Sequence, residues 1–259
     1  YCTSNEKENG VKGDTIKVKD IEITTVAVLN DEAEKIIRKP EGTYVTLDIP
    51  KLTMYDADIM EDVSSAFADE LSKVIKKFNF NESMTALVVG LGNWNITPDS
   101  LGPKVIDGLM ITRHLKKYVP NSVDERIRPV CAIAPGVLGI TGMETGEIVR
   151  GIVENVKPNL IICIDALAAR KMERVNSTIQ IGNTGISTGS GIGNMRMEIS
   201  EKTLGIPVIA VGVPTVVDAA TMANDTIDIV IDKMKEYSDK ESNFYNMLKA
   251  IDNDEKEQL

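Results

Sequence analysis

From Met84 onward, short apolar runs alternate with longer stretches whose apolar positions recur every three or four residues. The short runs 84–91, 129–134, 159–164 and 207–213 are rich in Val and Ile, as buried strands are. The longer stretches 101–118, 144–156 and 215–237 carry helical spacing. So does Asp56 to Phe78, with Ile59, Val63, Phe67, Leu71, Val74 and Ile75 on one face. This alternation predicts an α/β fold, a mostly parallel central sheet flanked by helices. Upstream, Ile16 to Val28 and Thr43 to Ile49 alternate apolar and polar residues, with the turn Lys39-Pro40-Glu41-Gly42 before the second. They predict a small N-terminal β element packed at the side of the sheet. Ser177 to Ile181 suits another short strand. Tyr1 to Gly13 is polar and expected to fray. After Glu236 comes a linker, SDKESN, and then a helical segment from Phe244 to Ile251. The pattern divides the chain into an N-terminal β extension (1–50), an α/β domain (51–237) and a C-terminal linker and helix (238–259).

Composition narrows the classes. A formal net charge of -10 over 259 residues argues against direct nucleic-acid binding. No run approaches the roughly 18 apolar residues of a membrane span. No secretory signal is visible, so a cytoplasmic location is expected. The chain opens on Tyr1 without a Met, so processing or truncation is expected. Cys2, Cys131 and Cys163 lack metal-ligand spacing and read as reduced thiols. His114 is the only histidine. It lies between Arg113 and Leu115 on a predicted helix, and a surface or structural role suits it better than catalysis.

The candidate chemistry sits where strands end. In LVVGLGNWNITPDSLGP, Leu87 to Pro103, a strand meets Gly90 and Gly92, a polar loop of Asn93, Trp94 and Asn95, then Asp99 and a helix from Leu101. In NLIICIDALAA, Asn159 to Ala169, a strand runs into Asp165 and a short helical segment is expected after it. Each aspartate alone reads equally well as a helix cap. Together they read as a pair at the carboxyl ends of parallel strands, where α/β folds hold their sites. Two close carboxylates share one proton, so one can activate water while the other polarises a carbonyl. Gly90-Leu91-Gly92 lacks the third glycine of a dinucleotide motif, since Asn95 stands there. Gly182 to Asn194 lacks a Walker lysine and reads as a lining loop. Arg170 and Arg174, four apart, either pair with structural carboxylates or bind an acidic substrate side chain.

VVGLGNWNITPDSLGP, TRHL, RPVCAIAPGVLGITGMET, IDALAAR, ERVNSTIQI, TGISTGSGIGN and LGIPVIAVGVPTVVDA resemble the germination (spore) protease family over nearly the whole chain. The resemblance implies an endopeptidase that degrades small acid-soluble spore proteins at germination. It also implies activation of a zymogen by loss of an N-terminal propeptide, a homotetramer, and residence in the spore core. The family's catalytic aspartates fall on Asp99 and Asp165. The propeptide pattern is absent, so the chain is expected to correspond to an activated or trimmed form, cut short also beyond Leu259. Cleavage beside an acidic residue is implied, with Arg170 and Arg174, then Arg113 and Arg196, as partners for the carboxylate, and Asn93 in the loop as a substrate contact. No cofactor and no metal are expected. The family's fold is similar to that of hydrogenase-maturation peptidases, whose glycine–Asn loop and acidic residue resemble GLGN and Asp99. That likeness supplies an alternative, a metal-assisted peptidase. A non-catalytic α/β binding module is a third reading.

Overall fold

In the computed structural model, residues 10–49, 57–187 and 197–237 are described. The chain opens with a hairpin of β1 (Val11–Val18) and β2 (Ile21–Val28). Lys19 turns the hairpin in the left-handed region, with φ 55°. The single strand expected over 16–28 is therefore two, and the first begins inside the segment expected to fray. Helix α1 (Asp31–Ile37) follows, capped by Asn30, whose side chain accepts the Ala33 amide. Then come β3 (Gly42–Asp48) and α2 (Ala57–Lys76). In β3, Thr43, Val45 and Leu47 are buried and the residues between them are half-exposed. The buried set faces α2, which presents Val63, Ala66 and Val74.

The strand–helix alternation then runs as β4 (Ala86–Gly90), α3 (Leu101–Gly108), α4 (Arg113–Tyr118), β5 (Val130–Ile133), α5 (Leu138–Thr141), α6 (Thr145–Val156) and β6 (Leu160–Ala169). After β7 (Thr178–Gly182), a small ribbon of β8 (Ile186–Ser187) and β9 (Glu198–Ile199) and the short α7 (Glu201–Leu204) lead to β10 (Val208–Val217) and α8 (Ala219–Tyr237). The helix expected over 101–118 is broken. Between its halves, the Thr112 amide donates to the Val130 carbonyl and its hydroxyl to the Arg128 carbonyl, at 3.0 and 2.5 Å. These bonds to the start of β5 outweigh helix continuation.

Eight strands form one sheet in the order β1-β2-β3-β7-β10-β6-β4-β5. β10, β6, β4 and β5 are mutually parallel, as expected from 84 onward. β1, β2, β3 and β7 continue the sheet in antiparallel fashion. The N-terminal strands are thus hydrogen-bonded to the sheet through β3 and β7, a closer union than side-packing. β4 is buried along its whole length, as a strand covered on both faces must be. Two clusters fill the core. One joins α2 to β2, β3, β7 and β10 through Ile23, Leu47, Ile181 and Ile209. The other packs Val149 and Val153 of α6 against Val89, Ile161 and Cys163. Burying side chains such as Leu47 or Ile161 contributes roughly 1.5–3 kcal/mol each. Among the described residues, no helix is long and apolar enough to cross a membrane.

The expected strand at 177–181 is β7. Cys2, Arg196, residues 188–194 of the glycine-rich stretch, and the linker and helix after residue 237 lie outside the described residues.

Candidate active site

The end of β4 is stitched to the end of β6. The Leu91 amide donates to the Ile164 carbonyl at 2.8 Å, and beyond it the chain turns at Gly92, φ 110°. A Cβ at Gly92 would lie 2.1 Å from the Asp99 carbonyl oxygen, so the position requires glycine on both counts. The next amide, of Asn93, points back across the loop to the Asp99 carbonyl at 3.0 Å and to its Oδ2 at 2.8 Å. Asn93 Oδ1 in turn accepts the Asn95 amide. Asp99 closes a 3-10 turn, Thr97–Asp99, and α3 is entered through Ser100. The position before a helix is therefore held by Ser100, while Asp99 Oδ2 takes the Asn93 amide. The Thr215 hydroxyl on β10 donates to the Pro98 carbonyl at 2.6 Å, holding this turn against the strand on the far side of β6.

Asp165 does not end its strand. β6 runs on to Ala169, and the helical segment expected from ALAA is extended backbone. The cause is β10, which continues alongside, pairing Ala166 with Val213 and Ala169 with Val217. A ladder with a neighbour outweighs helix preferences of a few tenths of a kcal/mol per residue. Asp165 faces Gly212 in that ladder and follows Ile161 and Cys163 on the face that α6 covers. It is half-buried, and its Oδ1 accepts the Ala166 amide at 2.9 Å. Burial pushes its carboxyl up to about 7, the Ala166 amide opposes this, and the nearby charge of Asp99 adds to the rise.

The Asn93 amide reaches Asp99, and the Asp99 charge acts on Asp165, whereas Arg113, Arg170 and Arg174 lie elsewhere and Arg196 is outside the described residues. Arg170 follows the end of β6, five residues past Asp165, or roughly 16 Å along a strand. Arg174 ends a 3-10 turn, Met172–Arg174. Burial, and after it the two guanidinium charges, hold the Lys39 ammonium below its usual range, so the three cations lie within electrostatic reach of one another. Lys39 lies over the Tyr44 ring at 4.5 Å. Its part in this cluster was not visible in sequence, where it stood as a turn residue. Arg113 opens α4 at the start of β5, the opposite end of the strands, where its charge acts on Cys131. His114 is exposed on α4. Burial raises both described thiols, that of Cys163 to about 12, which leaves them poor nucleophiles. Among the described residues, no three His, Cys, Asp or Glu side chains converge as a metal site.

Residues 2–259 match the family model described as germination protease. The chain belongs to the germination protease family. The germination protease of Clostridium acetobutylicum is 73% identical over 260 residues, covering 100% of this chain and 80% of that protein. That of Clostridium tetani is 62% identical over 239 residues, 92% of this chain and 73% of that protein. That of Bacillus subtilis is 51% identical over 224 residues, 85% of this chain and 61% of that protein. Membership makes the chain a peptidase, hence a hydrolase, of a family tied to spore germination, and its substrates proteins.

Proposed function

We propose that this germination protease is an endopeptidase whose Asp99 and Asp165 share one proton across a bound water, and that its substrates are small acid-soluble spore proteins. The observation that carries the reading is the half-buried Asp165, its carboxyl raised to about 7 with the Asp99 charge beside it. Near neutral pH, Asp165 holds a proton and Asp99, which accepts the Asn93 amide, acts as the base. Asp99 takes a proton from water, and the hydroxide oxygen bonds to the peptide carbonyl carbon. Asp165 gives its proton to the carbonyl oxygen, leaving a neutral gem-diol. As the C–N bond breaks, the proton on Asp99 passes to the leaving nitrogen, and a gem-diol hydroxyl returns a proton to Asp165. No covalent intermediate forms.

Arg170 and Arg174, with Lys39, are proposed to bind an acidic substrate side chain. The spacing along β6 suits a carboxylate a few residues from the scissile bond. Asn93 is proposed to orient the substrate at the loop. Arg196 remains a candidate from the resemblance. Zymogen activation, the spore core and the homotetramer rest on the same family resemblance. Exposed Met222, Ile229, Val230 and Met234 on α8 are consistent with self-association.

The test is substitution. Asp99→Asn and Asp165→Asn should each stay folded and lose activity by on the order of 10²–10⁴-fold or more. The double variant should be little worse than either. Turnover should survive chelators and serine- or thiol-directed inhibitors. Loss on chelation that added metal restores would favour the metal-assisted alternative, and activity in either Asn variant would sink the dyad.

A further inference from the structure

β10 carries one irregularity. Its parallel register with β6 slips between Pro214, opposite Leu167, and Val216, opposite Ala168, so Thr215 is an extra residue with no partner in the ladder. Such a bulge re-aims the side chain it carries. Here the half-buried Thr215 hydroxyl is aimed at the Pro98 carbonyl, one residue before Asp99, at 2.6 Å. Three residues earlier on the same strand, Gly212 is the ladder partner of Asp165. One strand therefore reaches both stretches that carry the carboxylates, pairing with the Asp165 backbone and holding the carbonyl just before Asp99 with a single hydroxyl. Within its own loop, Asp99 also accepts the Asn93 amide at its side chain and donates its own amide to the Ile96 carbonyl at 2.8 Å. The bond from Thr215 ties that loop to the strand that aligns Asp165.

We propose that Thr215 is a positioning residue, which fixes the spacing of Asp99 from Asp165 through the Pro98 carbonyl. This rests on the dyad reading above. A hydroxyl at this position is required, and its methyl is not. Loosening the turn should lower kcat, because the two carboxylates must address one water. It should leave KM nearly unchanged, because substrate contacts are untouched. A more distant Asp99 charge should also move the basic limb of the pH profile to lower pH.

The experiment compares Thr215→Val, which keeps the shape and lacks the donor, with Thr215→Ser, which keeps the donor. Expected for Thr215→Val is a kcat loss of roughly ten- to hundredfold, a KM within about twofold of the parent, and an acid-shifted basic limb. Thr215→Ser should recover all three. A Thr215→Val enzyme with unchanged kcat and pH profile, whatever its melting temperature, would overturn the proposal, as would equal losses in both variants. If Thr215→Val does not fold, Thr215→Ser and Thr215→Asn carry the same comparison, with Asn retaining a donor of different reach. Thr215→Asn should then show the kcat loss and the acid-shifted limb that Thr215→Ser lacks, and parental behaviour in both would overturn the proposal. Activity in Asp165→Asn would instead overturn the dyad itself, so the two failures are distinguishable.

Discussion

The Leu91 amide donates to the Ile164 carbonyl at 2.8 Å, so the loop that holds Asp99 starts from the residue before Asp165. Gly102 makes that approach possible. A Cβ there would stand 2.2 Å from the Leu91 carbonyl oxygen and 2.6 Å from that of Ile164, both backbone atoms that cannot swing away. Gly→Ala inside a helix is ordinarily worth up to about 1 kcal/mol of stability. At Gly102 the sign should reverse. Gly102→Ala should lower the urea midpoint, by about 1–3 kcal/mol in unfolding free energy, and should lower activity further by displacing the start of α3. An alanine variant as stable as the parent would contradict this packing.

The pH dependence follows from Asp165. Its proton is the one the proposed mechanism donates, and its carboxyl is raised to about 7. Activity should therefore fall as pH rises through about 7, by up to tenfold per further unit. Carboxyl NMR of Asp99→Asn should show Asp165 titrating lower than in the parent. It should remain above an ordinary aspartate, because burial is the larger cause and Asp99 the smaller.

Stability, like activity, should fall as pH rises at this residue, but substituting Asp165 should cost activity and gain stability. Asp165 titrates near 3.8 when unfolded and about 7 when folded. Between those values the folded state holds the proton and the unfolded state has lost it, so stability falls as pH rises. The cost is absent below about pH 4 and levels off above 7, at on the order of 4 kcal/mol. Asp165→Asn removes it. Melting temperatures should show the variant gaining on the parent from pH 4 to 7, with the full gain kept at pH 8. A gain confined to acid pH would mean the sign is wrong.

Charge removal at the basic cluster should be selective. Arg170→Gln and Arg174→Gln should raise KM for a peptide with a glutamate near the scissile bond more than for its glutamine analogue. Equal effects on both peptides would remove the two arginines from substrate recognition. Lys39→Met should follow the arginines, because the three charges act together.

The strands of the parallel half were legible because burial on both faces leaves continuous apolar runs, as in β4. The loop from Gly90 to Asp99 was legible because its glycines and Asn93 are turn chemistry with a fixed order. The course of the chain after Asp165 was not. ALAA suits a helix locally, and only the neighbouring β10, more than forty residues later, makes it a strand. Thr112 interrupts the helix expected over 101–118 for the same kind of reason, a partner at Val130 on β5 that local sequence does not name. Lys39 and Thr215 carry no local signal at all. The influence of the Arg170 and Arg174 charges on Lys39, and the bond from Thr215 to Pro98, exist only once the sheet is assembled.

The mixed sheet also sets an order of assembly. The Thr43 amide donates to Asn183 Oδ1, 140 residues later, and β3 pairs with β7 over the same interval. During synthesis at about 5–20 residues per second, the first hairpin and β3 wait many seconds for the strand that joins them to the rest. Contacts of such long range slow folding. Through that interval β3 has an unpaired edge, which is where a chaperone or an aggregate would meet this chain.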